Sequence, residues 1–494
     1  MSFPKDIRLV LALLPAAALG AALFASPAQA DPTESTIFDP TGTSLIGKPP
    51  AQRDAELAQI QDLGADTIRL VVNWRAFAPD AEAPGKPDFS AANPTDYPAH
   101  TFDALDGVVK AIGAHGMTVL MTPDGPAPDW ASTGGTKGLN RPDAREFGRF
   151  VRALGERYSG KCSCGTGSTL PRVDFWSVWN EPNLFLFLHP QFSHGRSVSG
   201  QLYRGLFDAA QRALDASGHD QDPLLIGETA PTQGTVSTKP IAFLRDVLCL
   251  DASYHRVGHC RPLRASGWSQ HPYNAGLAPW QLPANKAQIS VGSLGRLTGA
   301  LRKASLAGAT TQRLPVYVTE FGEESLPEPI TRYGETPQRQ AEYVGISEYL
   351  LYHNPEVRSY AQYLLTDDPG RADSLSFQTG LRYADGEPKP ALYAFPMTLV
   401  ARRFGDYQAE LWGHVRPASG FGYQRVDLSY RDSPSGEVRS AGSVLTDPDG
   451  YFSYTVPYAD GRQWQATTRL ADGRVLQGPY IRSYRFSSQT SARR

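Results

Sequence analysis

Between Thr36 and Phe404 the chain repeats one unit, a short apolar run of strand length followed by an amphipathic run of helix length. Residues 36–38 open the series as a strand. Residues 51–63 read as a helix stopped by Gly64, and 67–73 as a buried strand. Phe102, Leu105, Val108, Val109 and Ile112 fall on one helical face, with Gly116 as its stop. Strand and helix then alternate through 117–121, 147–158, 173–180, 199–216, 224–227, 241–250, 266–270, 291–306, 316–319, 339–352, 357–365 and a last helix over 391–404. Apolar strands separated by helices pair in parallel, because each helix returns the chain across a face of the sheet and covers it. Eight such units call for closure into a (β/α)8 TIM barrel, with a doubly wound open sheet as the alternative.

The rhythm changes after Gly405. Strand-like runs at 407–416, 424–430, 437–445, 451–457, 464–470 and 475–482 are separated by turn signals such as Asp449-Gly450 and Asp460-Gly461. Residues 405–494 therefore read as a small all-β sandwich. It is either a structural cap on the barrel or a carbohydrate-binding module using Trp412, Tyr451 and Trp464.

Residues 1–30 read as a secretory signal peptide rather than as fold. Lys5 and Arg8 precede an uncharged apolar run at 9–24, and Ala28-Gln29-Ala30 is a cleavage signature. The expectation is a secreted, extracellular, monomeric protein with no membrane attachment after cleavage, its catalytic barrel spanning 31–404. A formal charge of −2 argues against a nucleic-acid partner, which needs a basic field. Four cysteines in an oxidising compartment suggest disulfides. Cys249 and Cys260 flank one loop and are expected to pair. Cys162 and Cys164 would close a tight ring, and cross-pairings stay open. A zinc reading of His255, His259 and Cys260 matches no standard spacing. No cofactor or metal is signalled.

Chemistry in such a barrel collects at the C-terminal ends of the strands. The fourth strand ends in Trp179-Asn180-Glu181-Pro182-Asn183, placing a carboxylate at the end of an apolar run, where desolvation is costly unless the group is used or satisfied. The same rule selects Arg69, Asn73 and Trp74 on the second strand, Glu228 on the fifth, His271 and Tyr273 on the sixth, and Glu320 on the seventh. Paired carboxylates across a barrel mouth are what glycosidic cleavage requires, one to protonate the leaving oxygen and one to attack or to activate water.

Trp179-Asn180-Glu181-Pro182-Asn183 and Thr319-Glu320-Phe321-Gly322 resemble the signatures of the clan A glycoside hydrolases, over roughly 38–404. The first motif is most similar to that of the β-xylosidase and α-L-iduronidase family, the second to that of cellulase-like families, so the exact family is open. The resemblance implies a retaining glycosidase acting on an oligo- or polysaccharide. Glu181 would be the general acid/base, Glu320 the nucleophile, and Asn180 a ligand of the sugar 2-hydroxyl. Arg69 and Tyr273 would orient Glu320, and His271 would line the same subsite. Trp74 and Trp130, like Trp179 and Trp268, are candidates for stacking on sugar rings or for core packing. Asp124 and Asp129 are weaker candidates for sugar hydroxyls, Glu228 a rival catalytic acid, and Glu323 and Glu324 loop charges or substrate contacts. The alternative function is an inactive carbohydrate-binding barrel.

Overall fold

The computed structural model describes residues 35–40, 45–134, 137–165, 167–231, 234–325, 334–369, 377–417 and 422–486. The leader expected at 1–30 lies outside them. Eight parallel strands form the first sheet: β1 (Ser35–Asp39), β2 (Thr67–Asn73), β3 (Thr118–Asp124), β4 (Phe175–Ser177), β7 (Leu224–Thr229), β8 (Gly267–Gln270), β9 (Val316–Val318) and β10 (Ser359–Tyr363). A two-residue hairpin, β5 (Phe192–Ser193) with β6 (Arg196–Ser197), interrupts the series at the mouth. The strands pair in chain order, β10 returns beside β1, and a parallel bridge from Val316 to Val357 joins the last edge to the first. The result is the barrel that the alternation predicts.

The helices outside it are α1 (Pro50–Asp62), the short α2 (Trp74–Phe77), α3 (Asp103–Ala114), α4 (Ala144–Arg157), α5 (Ser199–Ala216), α6 (Pro240–Val247), α7 (Leu294–Leu306), α8 (Pro337–Tyr352) and α9 (Pro390–Ala394). Local chemistry sets their ends. Asp143 caps α4 by accepting from the backbone N–H groups of Arg145 and Glu146. Thr336 caps α8, whose first residue is Pro337. Phe147, Phe150, Val151 and Leu154 form the buried face of α4.

The second sheet holds β11 (Met397–Phe404), β12 (Gln408–Val415), β13 (Arg425–Arg431), β14 (Arg439–Leu445), β15 (Tyr451–Pro457), β16 (Gln463–Arg469), β17 (Val475–Gln477) and β18 (Ile481–Tyr484). Its two halves share β18 and enclose one core of Leu399, Leu411, Leu428, Phe452, Trp464 and their neighbours. The helix expected over 391–404 is thus largely wrong. Only Pro390–Ala394 is helical, and the second sheet starts at Met397, ahead of the expected boundary at 405. Met397, Leu399 and Ala401 face the sheet core, while Val400 packs with the barrel core. A strand covered on both faces shows no polar alternation, so its period is hidden in the sequence.

The aromatics expected to serve as glycan platforms are 3 % (Trp412), 6 % (Tyr451) and 1 % (Trp464) exposed, which removes that role. Trp412 packs on Tyr349 and Tyr352, and Tyr451 on Tyr352, so both are spent against α8. Both expected disulfides are present, Cys162–Cys164 and Cys249–Cys260.

Candidate active site

Every barrel strand delivers a polar side chain to one end of the barrel. Asp39 comes from β1, Arg69 from β2, Asp124 from β3 and Glu228 from β7. Tyr363 comes from β10. Glu181, His271, Tyr273 and Glu320 come from the segments that follow β4, β8 and β9. The fourth strand is shorter than the sequence suggests. Its ladder ends at Ser177, and Trp179 and Glu181 adopt left-handed backbone, with φ of 65° and 42°. Glu228 does the same at 47°. Such conformations cost on the order of 1–3 kcal/mol each and persist only where surrounding contacts fix them. Here the Tyr203 hydroxyl, from α5, donates to the Val178 carbonyl at 2.9 Å and accepts from the Gly227 N–H at 2.9 Å. Asn183 ties the loop after β4 to the chain after β7 through both its amide atoms. Gly227, at φ 118°, has no room for a side chain, since a Cβ would lie 2.6 Å from the Ser269 carbonyl oxygen.

These supports bring the acids together. Arg69 sits at the centre, fully buried. Its Nη1 reaches Asp39 Oδ2 at 2.5 Å and Glu320 Oε2 at 3.0 Å. Its Nη2 reaches Glu228 Oε2 at 2.7 Å and Asn180 Oδ1 at 2.8 Å. The Tyr273 hydroxyl donates to Glu320 Oε1 at 2.7 Å. His271 Nδ1 lies 3.0 Å from Glu181 Oε1, and its Nε2 2.9 Å from Glu228 Oε2. Ligand-type atoms of Glu181, His271 and Glu320 lie within 4.8 Å of one another.

Charge follows from this packing. Burial opposes an imidazolium at His271, but Glu320, Glu181 and Glu228 outweigh it and push its pKa up to about 10. Both ring nitrogens then donate to carboxylates. Burial would raise Glu228, but Arg69 and His271 hold it down at about 2. Glu181 is raised, chiefly by burial and further by Glu320, with His271 opposing. Burial also lifts Asp124 to about 7, against the backbone N–H groups of Asn180 and Gly125. One acid of the Glu181–Glu320 pair is thus biased toward its protonated form, while the other is gripped by two donors.

Glu181, Glu320, Arg69, Asn180, His271 and Tyr273 converge as the sequence suggests. Trp74 and Trp130 do not. Trp74 is 1 % exposed and packs on Phe147 and Phe150. Trp130 packs on Trp74 and Phe89 and donates to the Pro79 carbonyl. Trp179 and Trp268 are wholly buried as well. Among the described residues Phe377 lines the cleft beside Tyr273 and packs on Tyr273 and Tyr363. It follows β10 in a loop with no periodicity to announce it. Asp39 was also missed, although the strand-end rule that selected Glu228 applies to it.

A cavity of about 290 Å3 opens onto Glu181 and Tyr273 and is walled by Leu184, Glu323, Glu324 and Phe377. A larger one, about 640 Å3, lies beside Asp106 and Arg157, but Asp106 is committed there to Arg157 and Tyr158.

Solved structures similar to this chain include glycoside hydrolases. A glucosidase from Croceicoccus marinus is 14 % identical over 89 % of this chain and 96 % of its own, with a TM-score of 0.51. A family 39 glycoside hydrolase from Bacteroides cellulosilyticus is 17 % identical over 89 % of this chain and 82 % of its own, with a TM-score of 0.49. A β-glucuronidase from Bacteroides uniformis is 12 % identical over 92 % of this chain, at a TM-score of 0.46. The chain spans only 46 % of that protein's length. No family model and no curated protein matches the sequence. At these identities the likeness to the Croceicoccus protein is one of fold.

Proposed function

We propose that the chain is a retaining glycosidase, exported from the cell, that cleaves a glycosidic bond with Glu181 as general acid/base and Glu320 as nucleophile. The carrying observation is that carboxylate oxygens of these two residues approach within 4.8 Å. Retaining glycosidases hold their carboxyl groups roughly 5–5.5 Å apart, whereas inverting ones leave about 6.5–9.5 Å for a water. The leader expected from the sequence at 1–30 and the two disulfides support export.

Each group has a task in that reading. Burial favours the protonated form of Glu181, the state that gives a proton to the leaving oxygen. Arg69 and Tyr273 fix the Glu320 carboxylate for attack on the anomeric carbon. Asn180 spends its carbonyl on Arg69, leaving its amide hydrogens for a sugar hydroxyl. When the glycosyl–enzyme forms, the charge on Glu320 disappears. Glu181, relieved of that repulsion, then takes a proton from the attacking water.

The test is a panel of aryl glycosides with product stereochemistry followed by NMR. Net retention, together with recovery of a glycosyl-azide when azide is supplied to Glu181→Ala, is the expected result. Inversion sinks the nucleophile assignment. Absence of turnover with retained sugar binding favours the inactive barrel.

A further inference from the structure

The walls of the cleft carry a charge pattern that bears on what it accepts. Besides Glu181, two further carboxyl groups line it, Glu323 and Glu324, both from the segment after β9. No lysine or arginine is among the described residues that line it. Among the described residues the nearest cations are withdrawn, His271 between Glu181 and Glu228. Arg69 is buried among Asp39, Glu228 and Glu320. Lys389 is wholly buried, with its Nζ 2.7 Å from Asp367 Oδ1 and 3.2 Å from the Gln378 carbonyl.

Glu323 is held as a ligand is held. Its Oε1 accepts from Asn274 Nδ2 at 2.6 Å and from the Ser347 hydroxyl at 3.0 Å. Both bonds go to Oε1 and neither to Oε2, and the residue lines the cavity. A carboxyl oxygen without an internal partner, on a residue at the wall of a cleft, is what a site for a hydroxylated ligand leaves open. Burial pushes Glu323 up to about 8, so near neutrality it presents a carboxylic acid able to donate to a sugar hydroxyl as well as to accept from one.

We infer that this cleft takes a glycoside bearing no anionic group, that Glu323 binds one of its hydroxyls as a specificity-determining residue, and that uronosides are rejected. The inference rests on the glycosidase reading. A uronate carboxylate placed here would meet Glu324 with no cation among the described residues free to pair with it, and an uncompensated like charge in a desolvated cleft excludes a ligand more effectively than any missing contact.

The experiment pairs neutral aryl hexosides with the matching aryl uronides, which differ only in replacing the C6 hydroxymethyl by carboxylate. Kinetics are measured on the full chain, and binding by calorimetry on its Glu320→Gln variant. Expected is a preference of at least about 100-fold in kcat/KM for a neutral member. Glu323→Ala should raise KM about tenfold or more with a smaller change in kcat, and Glu323→Gln, which keeps shape and hydrogen bonding, should restore most of it. Glu324→Arg, at a partly exposed position, should narrow the neutral-to-uronide ratio at least about tenfold. Turnover of a uronide at or above its neutral partner overturns the inference and leaves the glycosidase reading standing. If nothing is turned over, the glycosidase reading fails. Calorimetry then decides the inference: tighter neutral binding supports it, and tighter uronide binding, or binding of neither, overturns it. An unchanged KM in Glu323→Ala removes Glu323 from the site.

Discussion

Two buried clusters in this molecule use the same residue types, glutamate, arginine and histidine, and reach opposite charge states. At the barrel mouth Arg69 and His271 stand among Asp39, Glu181, Glu228 and Glu320. At the seam between barrel and second sheet Glu348, on α8, faces two bases at once. Its Oε1 accepts from Arg416 and from His414 Nδ1, and its Oε2 from the Thr398 hydroxyl at 2.9 Å. Carboxylates outnumber cations at the mouth, and the histidine there is pushed up to about 10. At the seam burial and the Arg416 guanidinium outweigh Glu348, and His414 is pushed down to about 4. Burial lowers both histidines. The surplus of neighbouring charge decides the sign, and with it whether the cluster can do acid–base work or only hold two layers together.

The largest expected contrast is between removing an acid from each cluster. Glu320→Gln should reduce kcat/KM on the order of 10^4-fold or more with the denaturation midpoint nearly unchanged, because the mouth has acid in excess. Glu181→Gln should cost about 10^2–10^4-fold against substrates with poor leaving groups and far less against activated ones. Glu348→Gln should do the reverse. It leaves Arg416 buried without its carboxylate, a loss of about 3–5 kcal/mol in urea unfolding, with KM for any surviving fold unaltered. Equal stability losses from Glu320→Gln and Glu348→Gln would erase the distinction.

Next in size is a pH dependence of opposite sign at the two histidines. His414 has a folded pKa below its ordinary 6.5, so between about 4 and 6.5 the unfolded chain binds more protons. Stability therefore falls as pH drops through that window, by roughly 3 kcal/mol for this group alone. His271 has a folded pKa above its ordinary value, so its contribution is complete below about 6.5 and is lost as pH rises toward 10. Urea midpoints measured across pH should decline on the acid side less steeply in His414→Gln, and on the alkaline side less steeply in His271→Gln. Matching profiles for the two variants would contradict the charge-surplus account. The smallest expected effect is at the edge of the mouth. Asp124 accepts from the Asn180 N–H at 2.8 Å, a bond that Asp124→Asn preserves through its amide oxygen. Activity should change by about fivefold or less, the worth of one hydrogen bond, while a pH inflection near 7 disappears from the rate profile.

Legibility differed between fold and site for reasons visible in single elements. β2 has the bounds its sequence suggests, 67–73, because a buried strand flanked by a glycine stop and a helix offers no competing period. β11 was mistaken for helix because Met397–Phe404 is covered by a core on each face. Glu181 and Glu320 were legible because strand ends and local motifs mark them. The roles of Glu228 and Asn183 were not. Glu228 looked like a rival catalytic acid and is an ion-pair partner of Arg69 and His271. Asn183 is in the same motif as Glu181, yet it is wholly buried and ties two loops together. Trp74 and Trp130 show the converse error, since an aromatic side chain at a strand end stacks equally well on a sugar or on its own core.

Hydrophobic period and turn chemistry act over a few residues, so the barrel, the β domain after it, and the strand ends from which the two glutamates come can be read along the chain. Which carboxyl groups are pushed toward or away from the protonated form is set by the tertiary structure alone. That depends on Coulomb terms that matter within a few ångströms, between Arg69, Glu181, Glu228, His271 and Glu320, which closure of the barrel brings together from across the chain, and on burial that no single segment supplies.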